Sequence, residues 1–230
     1  MSLFRMRLAR RTAKGSRQLS TVRVVPSTAS RQLALPLAFV SVGPATRDPW
    51  QDWADRFAAR GYSSLLLNVD DKIAREATTS QARLELLERG TSSSLALPRL
   101  CFSKRLLRDP ATSSPFPPLL FAASHAALVA ETYVSSHPLS ALHLVSPLSA
   151  PLAHSRDPNR FPTALAEFDY EPGFPIAVMV EDGGRPGDEH RLLRDFVDDE
   201  EDDGLVRRLT GRRDEAGWER AMDWMDENGL

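Results

Sequence analysis

Short apolar runs recur along the chain, and amphipathic segments separate them. The runs lie at residues 33–42, 62–69, 119–123, 139–145, 175–180 and, more weakly, 205–209. Near-continuous apolar runs of this length are typical of strands buried on both faces of a parallel sheet. Their alternation with helical patterns predicts an α/β fold, with a doubly wound, mostly parallel sheet and helices on both faces. Residues 22–26 predict a further short strand.

The clearest helical pattern follows the first long run. Asp48 is a good N-cap, and Gly61 favours termination of the helix. One face is apolar at helical spacing, with Trp50, Trp53, Phe57 and Ala58. Asp214 is predicted to cap a last helix in the same way. Its apolar face comprises Trp218, Ala221, Met222 and Met225.

Three segments carry weaker patterns. Residues 72–89 predict a helix broken at Thr78-Thr79-Ser80, and residues 90–94 predict a loop. Residues 152–174 contain several prolines and are predicted to be irregular. The segment is too short for a large lid, because independent domains have at least about 50 residues. One domain over residues 22–230 accommodates every predicted element.

The first strand-helix-strand unit resembles the opening of the α/β-hydrolase family. The resemblance rests on W-A-D-R-F-A-A-R-G-Y at residues 53–62, which ends in the family's Gly-Tyr pair, and on a following strand that ends at Asp70. The order of elements extends the resemblance over most of residues 22–230. It implies an α/β-hydrolase-like fold, and a site beyond the carboxyl ends of the strands.

Ser124 stands where an apolar run meets a helical pattern. The stretch from Phe121 to Ala127 reads F-A-A-S-H-A-A, with small residues two positions before and after the serine. This predicts a nucleophile elbow, in which Ala122 and Ala126 replace the glycines of G-x-S-x-G. The alternative is a helix N-cap serine without catalytic use.

The resemblance implies three partners for Ser124. An orienting acid should follow the penultimate strand, where Asp182 matches best, with Glu181 and Asp188 in reserve. The oxyanion should be held by backbone N–H groups, here expected from His125 and Gly43. Pro44 follows Gly43 in V-G-P-A, where the family usually has His-Gly, and proline has no N–H to donate.

The base histidine is the missing part. It should follow the last strand, but residues 210–217 read T-G-R-R-D-E-A-G, and no histidine follows His190. Arginine cannot replace it, because it stays protonated. His190 is therefore the candidate base, with His154 as an alternative. The His125 ring is expected to point away from Ser124, and His143 to be a hydrogen-bonded core residue.

Other kinds of site find little support. Cys101 is the one cysteine, so an intrachain disulfide and a multi-cysteine zinc site are excluded, and no H-E-x-x-H motif or phosphate-binding glycine loop occurs. We therefore expect no cofactor and no metal. No apolar run approaches the roughly 20 residues of a transmembrane helix. The carboxylate run at residues 198–203 is expected to be a solvated loop.

The N-terminal segment differs from the rest of the chain. Residues 1–23 contain seven basic residues and no acidic one, with serines and threonines among them. This composition is typical of a mitochondrial transit peptide, predicted over residues 1–21, with R-Q-L-S at residues 17–20 as a processing signal. The alternative is a disordered basic tail. Residues 24–230 hold 22 basic and 31 acidic residues, a net charge of −9 that disfavours nucleic-acid binding.

These observations favour a matrix protein of α/β-hydrolase fold. Because a base histidine is missing and the oxyanion loop is altered, the preferred hypothesis is a catalytically impaired member that binds a protein partner or a small acyl ligand. The alternative is a serine hydrolase of carboxylic esters or thioesters with Ser124 as nucleophile.

Overall fold

A computed structural model describes residues 19–24, 29, 31–43, 48–100, 116–181, 190–197 and 204–230. Its strands are β1 (Leu19–Val24), β2 (Pro36–Val42), β3 (Ser63–Val69), β4 (Leu119–Ala123), β5 (Ala141–Val145), β6 (Ile176–Val180) and β7 (Val206–Thr210). Its helices are α1 (Gln51–Ala59), α2 (Ser80–Leu100), α3 (His125–Val134), α4 (Ala150–Arg156), α5 (Arg191–Phe196) and α6 (Glu215–Glu227), with a short 3₁₀ helix at Asp71–Ala74.

The strands form one sheet in the order β1-β3-β2-β4-β5-β6-β7. Strands β2 to β7 are parallel, and β1 pairs antiparallel with β3 at one edge. The predicted doubly wound, mostly parallel sheet is confirmed. Its carboxyl edge places the residues that follow β2, β4 and β5 side by side.

Strand β4 shows how helices cover both faces of the sheet. Leu119 and Phe121 belong to a core that also contains the buried side chains of α1 and α6. Leu120 and Ala122 point the other way, into a core shared with α3 and α5. All four positions are fully buried, which explains why the run has no polar alternation.

The core on the α1 and α6 side is aromatic. Phe39 stacks on Phe121 with ring centroids 4.7 Å apart, and Trp53 packs edge-on against Phe121 at 6.0 Å. The Trp53 indole N–H donates to the Asp214 carbonyl at 3.0 Å, which ties α1 to the start of α6. The predicted cap is present, because the Asp214 carboxylate accepts from the Gly217 N–H at 2.9 Å.

Two predicted irregular segments are helical instead. Helix α2 begins at Ser80, as the predicted break requires, but continues through residues 90–94. The Thr91 hydroxyl bonds the Leu87 carbonyl at 3.1 Å, so a residue that favours loops is satisfied inside the helix. Helix α4 overlaps the start of the segment predicted to be irregular, residues 152–174, and it has Pro151 in its first turn, where proline is tolerated.

The first strand begins at Leu19, slightly before the predicted start of the domain at residue 22. Cleavage between Leu19 and Ser20 would leave almost all of β1 in the mature chain. The predicted boundary between residues 21 and 22 stays a prediction, since residues 1–18 lie outside the described part. Among the described helices, none is both long and apolar enough to cross a membrane.

Candidate active site

Ser124 occupies a sharp turn between β4 and α3. Its backbone has φ 52° and ψ −124°, a conformation that a non-glycine residue adopts at a cost of about 1–3 kcal/mol. Its N–H donates to the Val145 carbonyl at 3.1 Å, which anchors the turn to β5. The hydroxyl makes no capping hydrogen bond, so this serine does not act as a side-chain N-cap. The geometry is that of a nucleophile elbow.

Alanines make the turn possible. Ala122 and Ala126 are buried on either side of the serine, where larger side chains would collide with the packed helix and sheet. Both positions of the predicted small-residue pattern are therefore enclosed beside the turn.

The His125 ring lies beside the serine. Its Nδ1 is 3.4 Å from Ser124 Oγ, whereas the sequence led us to expect the ring to point away. The expectation was wrong, because the ring and the hydroxyl of these neighbouring residues face each other at the start of α3. A long hydrogen bond of this kind is common in unliganded catalytic sites.

The other side of the His125 ring faces Asp157. Its Nε2 lies 3.8 Å from Asp157 Oδ2, and the ring stacks on Phe161 with centroids 5.9 Å apart. Asp157 follows α4 directly and accepts the Arg160 N–H at 3.0 Å, which fixes the turn. The serine hydroxyl, the imidazole and the carboxylate thus lie one after another in space, although the imidazole belongs to the residue next to the serine.

Burial and charge set the protonation of His125. Burial lowers the pKa of the imidazole below its ordinary 6.5, the Arg160 guanidinium lowers it further, and Asp157 opposes both effects. At neutral pH the ring is therefore mainly neutral, which a proton acceptor requires.

The two expected oxyanion donors differ in availability. The His125 N–H belongs to the first turn of α3, where N–H groups have no acceptor within the helix. The Gly43 N–H donates to the Val69 carbonyl at 3.0 Å, so it is already bonded within the sheet. Of the two, only His125 is available in this structure.

His190 is engaged elsewhere. Its Nε2 lies 2.8 Å from Glu131 Oε1, and Nδ1 accepts the Leu192 N–H at 3.4 Å, with both side chains buried. Glu131 is seven residues beyond Ser124 on α3, about 10 Å along the axis. The structure does not bring His190 to the serine.

The remaining histidines also have other surroundings. His154 Nδ1 bonds the Phe161 carbonyl at 2.6 Å, and His137 stacks on Tyr133 with centroids 4.3 Å apart. His143 is a core residue as predicted, but neither ring nitrogen has a partner, and burial lowers its pKa to about 3. Within the described residues, His125 alone reaches the serine.

The remaining predicted parts of the site are the acids after β6 and the loop after β7. Asp182 and Asp188 lie outside the described residues, and Asp182 stays a prediction. In the loop that should hold the histidine, the Arg213 guanidinium lies 5.0 Å from the centre of the Trp50 ring. Burial raises the pKa of the nearby Asp48, while Trp50 and Arg213 oppose the shift. This corner contributes no base.

A cavity of about 350 Å³ opens beside His125. Asp157 and Phe161, which both contact His125, belong to its wall, together with Asp71, Arg75, Arg83 and Arg160. Ser124 and His125 do not line the cavity themselves, so a ligand bound there would contact the groups around the imidazole, in charged surroundings.

Comparison with solved structures identifies the fold. A lipase/esterase from Lactobacillus plantarum superposes with a TM-score of 0.62 at 14% identity, covering 100% of this chain and 99% of that one. The fold is that of the α/β-hydrolases. A dienelactone hydrolase from Anabaena variabilis (TM-score 0.52, 14% identity, 97% and 98% covered) has the same architecture. So does a monoglyceride lipase from Saccharomyces cerevisiae (0.52, 10%, 99% and 95%).

The likeness of this α/β-hydrolase-fold protein to those enzymes is structural. No protein-family profile matches the chain, and neither does any curated protein sequence. At these identities the comparisons establish the fold, and the chemistry must be argued from the chain's own residues.

Sequence reasoning missed Asp157 and Arg160. Both lie in D-P-N-R at residues 157–160, which reads only as a turn. Their proximity to His125 depends on α4, a helix that the sequence pattern does not predict. No local signal identifies them.

Proposed function

We propose that this α/β-hydrolase-fold protein is a serine hydrolase of carboxylic esters or thioesters, with Ser124 as nucleophile and His125 as base. The strained serine with an imidazole nitrogen 3.4 Å from its hydroxyl carries the proposal. A strained backbone at an exposed serine needs an explanation, and an activated nucleophile supplies one. We therefore prefer the serine hydrolase, which was the alternative hypothesis from the sequence, to a catalytically impaired binding protein.

The reaction follows from this arrangement. Ser124 Oγ bonds to the acyl carbon while its proton moves to His125 Nδ1, and the carbonyl oxygen becomes an oxyanion. When the carbonyl reforms, the bond to the alkoxide or thiolate breaks, and that group takes the proton from His125. Water then attacks the acyl-serine in the same manner and releases a carboxylic acid.

His125 must use one particular tautomer. Nδ1 has to be unprotonated to accept from Ser124, so the proton resides on Nε2 and faces Asp157. Asp157 then stabilises the imidazolium that forms during attack. Asp182 remains a second candidate for this role, and comparison of D157N with D182N would distinguish them: loss of rate follows the acid that faces the imidazole.

A second candidate function is ligand binding without turnover. It is favoured by the Gly43 N–H, which is bonded to Val69, and by His190, which is held by Glu131 rather than by the serine. Under this hypothesis a partner or an acyl ligand occupies the cavity, and Ser124 is not activated.

Labelling with a fluorophosphonate separates the two functions. An activated serine reacts with the probe, so the wild type should be labelled, S124A should not, and H125A should react at least about 100-fold more slowly, the scale of general-base catalysis. S146A is the matched control, since Ser146 is another exposed strand-end serine with positive φ (44°). An unlabelled wild type would contradict the proposed hydrolase and favour the binding function.

We further propose a mitochondrial location, in the matrix. The acid-free, arginine-rich residues 1–23 support it. The test is fractionation of cells that express the full chain with a C-terminal tag. Replacement of Arg5, Arg7, Arg10 and Arg11 by glutamine should leave the tag in the cytosol, and a wild-type tag found there would contradict the proposal.

A further inference from the structure

The proposed oxyanion site lacks the backbone donor that was expected at Gly43. The Gly43 N–H is bonded to Val69, and Pro44, which comes next, has no N–H. The His125 N–H therefore stands without a second backbone donor from Gly43 or Pro44. Serine hydrolases lose about 10²–10³ in kcat when one such donor is removed.

The Arg160 guanidinium approaches Gly43. Arg160 Nη2 would be 3.9 Å from a Cβ placed on Gly43, so the glycine leaves open the space that this side chain approaches. Since β2 and β4 are neighbouring strands, Gly43 and Ser124 follow adjacent strand ends at the carboxyl edge. Burial lowers the pKa of His125 most, and the charge of Arg160 lowers it further.

The Arg160 guanidinium has no hydrogen-bond acceptor among the described residues. Its closest acidic atoms are Asp71 Oδ2 at 3.6 Å and Asp157 Oδ2 at 4.0 Å, both beyond hydrogen-bonding distance. The side chain is nevertheless only 26% exposed. A half-buried guanidinium with its N–H groups unused is available to an anion.

The other arginines of the cavity wall are committed. Arg75 holds both carboxylate oxygens of Asp71, at 3.1 and 3.3 Å. Arg83 donates to the backbone carbonyls of Asn159 and Arg160, at 2.6 and 2.9 Å. Arg83 thus fixes the backbone that carries Arg160.

We propose that the Arg160 guanidinium stabilises the oxyanion of the reaction at Ser124, in place of the missing backbone donor. The inference rests on the proposed function and adds a catalytic residue to it. When Ser124 attacks, negative charge develops on the carbonyl oxygen, and the Arg160 N–H groups donate to it together with the His125 N–H. Arginine suits this role because it keeps its charge at every physiological pH.

An anionic substrate group is the competing ligand for Arg160. A carboxylate in the 350 Å³ cavity could also bind a guanidinium. The two roles differ in substrate dependence: oxyanion stabilisation acts on every ester, whereas binding of a substrate carboxylate acts only on esters that carry one.

The experiment compares R160M and R160K with wild type on p-nitrophenyl acetate and on the p-nitrophenyl monoester of succinic acid. We expect R160M to lower kcat about 100-fold on both esters with little change in KM, and R160K to recover part of the loss. R194M is the matched control, because it removes an arginine that pairs with Asp195 on α5 and does not line the cavity, and it should retain the wild-type kcat. Thermal unfolding checks that each variant is folded.

Rates are compared on the alkaline plateau. Loss of the Arg160 charge should raise the pKa of His125 and move the acid limb of the pH profile to higher pH. Only the loss that persists on the plateau therefore measures oxyanion stabilisation. The rate of fluorophosphonate labelling should fall in parallel, because charge develops on the phosphoryl oxygen too.

Three results would overturn the inference. A folded R160M with unchanged kcat on both esters excludes a role in catalysis. A rise in KM confined to the succinyl ester assigns Arg160 to substrate carboxylate binding instead. A wild type that is neither labelled nor active overturns this inference and the proposed function together, whereas an active wild type with an active R160M overturns this inference alone.

Discussion

At the scale of single residues, Ser124 combines strain with exposure. A positive φ at a serine persists only where the surrounding structure enforces it, and here the buried alanines and the bond from its N–H to Val145 do so. Packing therefore holds the proposed nucleophile in place, and the strained backbone at this position lowers the stability of the folded protein.

Glycine at this position should release the strain. The relief of backbone strain, about 1–3 kcal/mol, exceeds the entropic cost of glycine, about 0.5–1 kcal/mol. The free energy of unfolding of S124G should therefore be about 1 kcal/mol higher than that of S124A. Urea unfolding of the two variants measures the difference. At Ser135, where φ is −62°, the corresponding glycine variant should be no more stable than the alanine variant. Equal stability of S124G and S124A would mean that the turn is not strained.

His143 should make the fold sensitive to acid. Its folded-state pKa of about 3 lies below the unfolded value of 6.5, so its contribution is fully present above pH 6.5 and is lost as pH falls toward 3. Between pH 7.5 and 5 this amounts to about 2 kcal/mol.

Replacement of His143 by leucine tests this. Since neither ring nitrogen has a hydrogen-bond partner, H143L should be at least as stable as wild type at pH 7.5. It should also lose about 2 kcal/mol less on acidification to pH 5. Urea unfolding at the two pH values gives both quantities, and identical pH dependence in the two proteins would exclude His143 as the cause.

The candidate site was only partly predictable at this scale. The elbow was, because its small residues lie next to the serine in sequence. The His125 orientation was not, since the sequence pattern does not give the direction of a side chain in the first turn of a helix. Nor were Asp157 and Arg160, because an unpredicted helix and turn bring them to the serine from about 30 residues away in the chain.

At the scale of elements, a buried pair joins α3 to α5. His190 Nδ1 accepts from the Leu192 N–H, so Nε2 must carry the proton that it donates to Glu131. Burial raises the pKa of Glu131, although the bond from His190 opposes the shift. His190, which was expected to serve as the base, thus connects the start of α5 to α3.

Two variants of Glu131 should differ sharply. Glutamine keeps an acceptor for His190, whereas alanine leaves a buried N–H unpaired, so E131A should be about 1–3 kcal/mol less stable than E131Q. Because the raised pKa means that the buried carboxylate costs stability as pH rises above 4.5, E131Q should also gain on wild type from pH 4.5 to 8. Urea unfolding at both pH values checks this, and equal stability of E131A and E131Q would show that the pair does not support the fold.

Element prediction succeeded where burial alone decides. Strands β4, β5 and β6 have runs that are buried on both faces, so their apolar patterns suffice. It failed at residues 90–94, whose glycine, threonine and serines favour loops locally. There the hydroxyl of Thr91 is satisfied by the preceding helical turn, and the helix continues.

At the scale of the whole molecule, the alternation of strands and helices was enough to predict the sheet. Parallel strands need crossover helices, and right-handed crossovers leave few possible topologies. The start of the antiparallel edge strand β1 was predicted too late in the chain, because its first residues resemble the basic segment before them in composition.

The aromatic core places the tryptophan fluorophores on one side of the sheet. All four tryptophans, Trp50, Trp53, Trp218 and Trp224, lie on the α1 and α6 side of the sheet. Tryptophan emission therefore reports the loosening of that layer alone, whereas far-UV circular dichroism reports helices on both. If the sheet unfolds as one unit, the two signals should change together in urea. If emission lags behind dichroism, the layer that carries Ser124, α3 and the proposed site opens first, while the tryptophan side remains packed.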